Sequence, residues 1–199
     1  MNWLVSLIKN GLGYASDMGA KFAASVIKGA GLDYAVGMKS KWEFEAFDKD
    51  GNPLWDESIF NTVVNVGLDD LLDKYFKGST YTAAFYVGLT DGATVTVAAG
   101  DTMSSHAGWT EVVAYSEATR ETLTLGTVSG QSVDNSASKA SFSINSDSTT
   151  IGGGFLTTNS TKSGTTGILY GAAAFTAGDK ALDNGDTLNV TVTLTAASA

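Results

Sequence analysis

The stretch TLNVTVTLT, residues 187–195, decides the fold class. Leu188, Val190, Val192 and Leu194 alternate with Asn189, Thr191, Thr193 and Thr195. A period of two is that of a strand with one apolar and one polar face, as in a sheet wet on one side. Working back toward residue 121, the same kind of segment recurs at 122–125, 140–144, 151–156 and 167–175. Turn signals separate these segments, among them Ser129–Gly130 and Asp183–Asn184–Gly185–Asp186. Short strands at such spacing predict an antiparallel β-sandwich, jelly-roll or immunoglobulin-like. Only nine charged residues fall in the 79 positions from 121 onward, which fits a sheet-rich region.

Ahead of this region, residues 41–60 read as a hairpin. Trp42, Phe44 and Ala46 alternate with their neighbours, and Asp48–Lys49–Asp50–Gly51–Asn52–Pro53 supplies the turn. Trp42 and Trp55 are expected to pack on each other across it. Residues 61–77 predict one helix, at about 64–77, with Asn65 as its cap and Gly78 as its stop. Its stripe of Val64, Leu68, Leu71, Leu72, Tyr75 and Phe76 is expected to face the core. Phe85, Val87 and Leu89 mark a further strand, Thr94–Val97 a short edge strand, and 98–112 a long ordered loop. Glycines 152–154 lie in a strand pattern, so they predict close packing against an aromatic neighbour rather than a phosphate cradle.

Residues 1–40 differ from the rest and read as a docking arm in front of a domain at 41–199. Leu4, Ile8, Leu12, Ala15, Met18, Phe22 and Val26 recur at helical steps, but six glycines interrupt them. Each interior glycine costs about 1 kcal/mol relative to alanine, so the segment is a broken amphipathic helix needing a surface to order on, that of another protein or of its own domain. The expected contact residues on it are Trp3, Leu4, Leu7, Ile8, Leu12, Phe22 and Val26. The apolar run at 3–8 is short and precedes the first lysine, so no cleavable leader is expected. The mixed charges of the arm lack the basic face of a membrane-surface helix.

Composition restricts the chemistry. The 199-residue chain has no cysteine, one histidine, and 12 basic against 21 acidic residues, a net charge of −9. Thiolate and multi-histidine metal sites are excluded, and a sequence-independent nucleic-acid surface is not expected from this charge. His106 has serines and acids nearby but no nucleophile elbow, and it reads as a hydrogen-bonding residue that fixes the loop. Asp48, Asp50 and Asn52 depart from calcium-loop spacing, because Gly51 falls at position 4 and Ile59 at position 12. The expectation is no catalytic residue, no cofactor and no metal. Trp109, in the long loop, is the one candidate platform for a surface glycan.

The runs WEFEAFDKDGNPLWDE, NTVVNVGLDDLLDKYF, TAAFYVGLTDG, AAGDTMSSHAGWTEV, SGQSVDNSASKASFSI and TTIGGGFL together resemble small virion proteins of tailed bacteriophages. These are capsid decoration, head-fibre or tail-fibre proteins. The blocks at Asp101–Glu111 and Asn61–Asp69 carry most of the resemblance, which leaves residues 1–40 outside it. It implies a non-enzymatic protein located on the virion, decorating or cementing the capsid. A tail-fibre or tail-adaptor component and a glycan-binding module on the particle are the alternatives. The implied partners are phage capsid or tail proteins and further copies of the chain, a trimer above all, with no nucleic acid or membrane. His106 and Trp109 join the arm residues as expected interface positions.

Overall fold

The computed structural model describes residues 36–81, 84–91 and 94–198. The chain is mainly β, with antiparallel sheets in a sandwich-like arrangement and one helix. Strand β1 (Val36–Phe47) and β2 (Pro53–Phe60) form the expected hairpin. The strand begins at Val36, so residues 36–40 belong to the sheet and not to an arm ending at 40. At the turn, the Asp48 carboxylate accepts from the Asp50 and Asn52 backbone N–H groups at 2.9 and 2.8 Å, and from Asn52 Nδ2 at 2.8 Å. The Asn52 side chain, more than any other contact, holds the Asp48 pKa below the usual carboxylate value.

The predicted strand at 187–195 lies inside β13 (Thr187–Ser198), which occupies the middle of the first sheet. On one side β13 pairs with β1, placing Trp42 opposite Val192 and Phe44 opposite Val190. On the other side it pairs with β7 (Ser132–Asp134) and β8 (Ala140–Ser143) in succession. Asn135 fills the gap between those two strands: its Oδ1 accepts from Val192 N–H at 2.6 Å and its Nδ2 donates to the Val190 carbonyl at 3.1 Å. A side-chain amide thus continues a backbone ladder inside the protein, where an unpaired N–H would be costly.

The second sheet runs β3 (Thr62–Val63), β11 (Leu169–Ala174), β10 (Gly153–Thr157) and β4 (Tyr86–Asp91). Beyond β4 come β5 (Thr110–Val112) and β6 (Glu121–Thr122). A two-stranded ribbon joins β9 (Thr149–Ile151) to β12 (Lys180–Leu182). The main core lies between the two sheets and includes Trp42, Phe44, Leu188, Val190, Val192, Leu89, Leu156 and Tyr170.

The second sheet is not wet on its outer side. A second cluster of Val64, Met103, Trp109, Phe155, Leu169 and Ala172 covers it, closed over by the segment 95–109 and the helix. Burial on both faces explains why GGFLT and LYGAAA contain no charge and so many small residues. Gly154 faces the main core, where a Cβ would come within 2.9 Å of Trp42 Cζ3, as its sequence context predicts.

Several local expectations fail: β6 ends at Thr122, so 123–125 form no strand, and the run 151–156 is divided at Gly152 between β9 and β10. Trp42 and Trp55 sit on different rungs of the hairpin, opposite Ile59 and Ala46; Trp42 stacks on Phe44, and Trp55 meets Phe175 edge-on. Residues 94–97 form no strand, although Thr96 N–H donates to the Gly108 carbonyl at 3.0 Å. The helix expected at about 64–77 is formed, at 65–76, but its cap is not Asn65. The β-branched Thr62 and Val63 pair as β3 with Ala172 and Gly171, so α1 runs only from Asn65 to Leu71. Its cap is Val64, without a side-chain bond; the Asn65 backbone N–H donates to the Ala99 carbonyl at 2.8 Å instead. A π turn at Leu72–Phe76 follows and stops at Gly78, whose φ of +77° suits glycine.

Candidate functional site

The helix stripe turns outward, against expectation. Val64 is buried, but Leu68 and Leu72 are exposed, and Tyr75 and Phe76 are 78% and 75% exposed. The reason is Gly67: a Cβ there would lie 2.5 Å from the Tyr170 carbonyl oxygen, so the helix backbone itself rests on β11. With Gly67 facing the sheet, the stripe of Leu68 and Leu72 lies on the solvent side. Tyr75 and Phe76 meet edge-on at 5.0 Å on the π turn and form a ridge. π turns are frequent at functional sites, because they widen a helix locally.

On the other side of the helix lies an apolar groove of about 280 Å³. Met38, Leu71, Tyr81, Val128, Tyr170 and Leu194 line it, and Asp70 and Lys74 stand in its wall. Tyr81 and Val128 are exposed there. Ridge and groove together make an apolar end to the sandwich, beside the start of β1. Contiguous apolar surface of this kind marks interaction sites. A larger groove of about 590 Å³ on the outer face of the first sheet is rimmed by Glu43, Glu45, Asp56 and Lys139, with Lys139 paired to Glu45. Exposed pairs of this sort contribute little.

Residues Trp3, Leu4, Leu7, Ile8, Leu12, Phe22 and Val26 lie outside the described residues. The two remaining expected interface residues are not at the apolar end. Trp109 is 4% exposed, so its ring offers no platform to a sugar. His106 stacks on Trp109 at 3.6 Å, and its Nδ1 lies 3.1 Å from the Trp109 carbonyl oxygen. That is the loop-fixing role expected of it. Ser104, two residues before His106, has its Oγ 3.2 Å from Thr102 Oγ1.

The block Asp101–Glu111 builds structure at each end. The Asp101 carboxylate accepts from Ala98 N–H at 3.0 Å, and Thr110 Oγ1 donates to the Asp91 carbonyl at 3.2 Å. Glu111 leads to a feature that sequence reasoning missed. Arg120 is 1% exposed, and its Nε and Nη2 donate to the two Glu111 carboxylate oxygens at 2.8 and 2.7 Å. Nη1 and Nη2 also donate to the Asn159 and Gly164 carbonyls at 2.8 and 2.9 Å. Ser163 N–H donates to Glu111 at 2.8 Å. Three distant segments are thereby latched together. The only available signal was that Arg120 is the chain's single arginine, and a lone arginine has no spacing to read.

Tyr115 is buried against Phe142, with no hydrogen-bond partner for its hydroxyl, and burial raises its pKa well above the ordinary 10.0. Burial also raises that of Tyr170. A raised folded-state pKa supplies stability below the unfolded phenol value and loses it as pH climbs above that value. Alkaline titration of phenolate absorbance should therefore leave two phenols silent until the chain unfolds. Ionisation of all seven tyrosines before any loss of β-sheet circular dichroism contradicts this.

Among the described residues, no group of three or more histidine, aspartate or glutamate side chains is placed to hold a metal ion, and no helix is long and apolar enough to cross a membrane. No protein-family model, curated protein or solved structure matches the chain.

Proposed function

We propose that this chain is a non-enzymatic structural protein of a tailed-bacteriophage particle, decorating or cementing the capsid through its N-terminal segment and the apolar end beside it. The sandwich is then of the jelly-roll or immunoglobulin-like kind, and the particle carries it as an oligomer, a trimer first. The observation that carries the reading is the exposed ridge of Leu68, Leu72, Tyr75 and Phe76, on the helix whose Asp70, Leu71 and Lys74 wall the groove that Met38 of β1 enters. The resemblance of the two sequence blocks to virion proteins supports it. So does the structural employment of His106, Glu111 and Asp101, the polar groups of the most distinctive block.

Burying a large apolar side chain is worth about 1.5–3 kcal/mol, so losing two such contacts should weaken docking by more than ~100-fold. Particles assembled with Leu72→Asp/Phe76→Asp should accordingly carry little of the protein, while the purified variant remains folded. Full occupancy would remove the ridge from the docking surface. Shells lacking the protein should rupture at lower temperature than complete ones, and equal rupture temperatures would end the cementing role. A copy number of a few per particle, read by gel densitometry, would move the protein from capsid to tail.

A further inference from the structure

We infer that the groove beside the helix binds a free α-amino acid with an apolar side chain, which enters the groove while its ammonium and carboxylate groups meet Asp70 and Lys74. This goes beyond the particle reading and does not rest on it, since the ridge that docks lies on the other side of the helix. The groove is walled by both sheets and is more than a bare face. The first sheet supplies Met38 and Leu194, the second Leu156 and Tyr170, the helix Leu71, and the segment between β6 and β7 Val128. Leu156 and Tyr170 belong to the main core, so a ligand here rests on the core itself. An apolar cavity of about 150 Å³ takes a benzene ring. The groove, at about 280 Å³, therefore has room for one ring with a short polar head.

The head group follows from the charges. Asp70 and Lys74 are the two charged residues of the wall. They stand four positions apart, a spacing at which an α-helix closes an acid–base pair. Here the π turn that starts at Leu72 changes the spacing before Lys74 is reached. No ion pair joins the two: Lys74 Nζ lies 3.8 Å from Asp73, whose carboxylate Lys77 already holds at 3.0 Å. Burial, and after it the Asp70 charge, raises the Tyr170 pKa, which places the Asp70 carboxylate near that hydroxyl. The wall thus carries an anion and a cation that leave each other free, beside an apolar floor. A fatty acid would meet Asp70 as a like charge, and an alkylamine would meet Lys74 as one. A free amino acid matches both, because it holds the two charges on one carbon with the apolar group beside them. A residue inside a peptide has neither charge.

The test titrates L-phenylalanine into the isotope-labelled 199-residue chain and follows its amide signals. Those of Leu71, Val128 and Tyr170 should shift with a dissociation constant of about a millimolar or tighter. Those of Asp50 and Gly51, in the turn of the β1–β2 hairpin, should stay unmoved. 3-Phenylpropionate lacks the ammonium and 2-phenylethylamine lacks the carboxylate, and each should bind about three- to tenfold more weakly. Asp70→Asn and Lys74→Met should weaken the amino acid by a similar factor. Both side chains are partly exposed, so the variants should keep the β-sheet circular dichroism of the parent. Lys74→Met should leave 2-phenylethylamine unaffected, and Asp70→Asn should not weaken 3-phenylpropionate. An unchanged spectrum up to the solubility limit of L-phenylalanine would overturn the inference, as would shifts confined to residues outside the groove. Equal or tighter binding of either single-charge analogue would overturn it too, and so would parental affinity for the amino acid in both variants.

Discussion

Arg120→Met should destabilise this protein by about 3–5 kcal/mol, because it leaves the Glu111 carboxylate in a protein interior without its cation. The Glu111 side chain is 9% exposed, and water cannot replace the two donors lost at 2.7 and 2.8 Å. The Asn159 and Gly164 carbonyls lose their donors in the same step. Methionine keeps most of the apolar stem volume, so the effect is one of charge and hydrogen bonding rather than of a cavity. Glu111→Gln should also destabilise the protein, since it leaves the buried Arg120 guanidinium without its counter-charge and replaces one of its two acceptors by an N–H donor. In Arg120→Met/Glu111→Leu the buried charge is gone from both sides, and the double variant should be more stable than the sum of the single effects predicts. Urea unfolding followed by tryptophan fluorescence reads all three, together with the single Glu111→Leu that closes the cycle. A loss of under ~1 kcal/mol for Arg120→Met, with an unchanged denaturant slope, would show that water enters the latch.

This latch also indicates where sequence reading works and where it stops. Period-two alternation is a local property, so the strands at 140–144 and 188–194 were legible from their own residues. So were the turns at Asp48–Asn52 and Asp183–Asp186, where side chains accept from nearby N–H groups within a few positions. The orientation of the helix was not legible, because a stripe says that one face is apolar and not which face a neighbour takes. Gly67 decides that, through a contact with Tyr170 more than a hundred residues away. Trp109 misled for the same reason: an aromatic residue in a loop looks available until the loop is known to lie over a second core. The bond from Arg120 to Gly164 crosses 44 positions, and no pattern in the sequence encodes such a distance. What the block Asp101–Glu111 does was therefore unreadable, although its residues were singled out.

Gly88 and Phe155 should show the strongest reciprocal coupling in the protein. They face each other across β4 and β10, on the side of the second core. A Cβ on Gly88 would fall 2.3 Å from two ring carbons of Phe155. The ring cannot move aside: Trp109 lies against it at 5.0 Å and the Arg120 guanidinium stands 5.1 Å from its centre. Gly88→Ala should therefore cost about 3 kcal/mol through overpacking, although alanine is the better residue in a strand. Phe155→Ala should cost about 3–5 kcal/mol by leaving a cavity among Trp109, Leu169 and Val64. In the Phe155→Ala background the added methyl meets empty space, so Gly88→Ala should become neutral or stabilising by up to ~1 kcal/mol. The sign of one substitution then reverses with the presence of a single ring. Chemical denaturation of the four proteins in the cycle measures the coupling directly. Additive costs would mean that the ring leaves room at Gly88, and that loop 98–112 holds Trp109 in place without the stack beneath it.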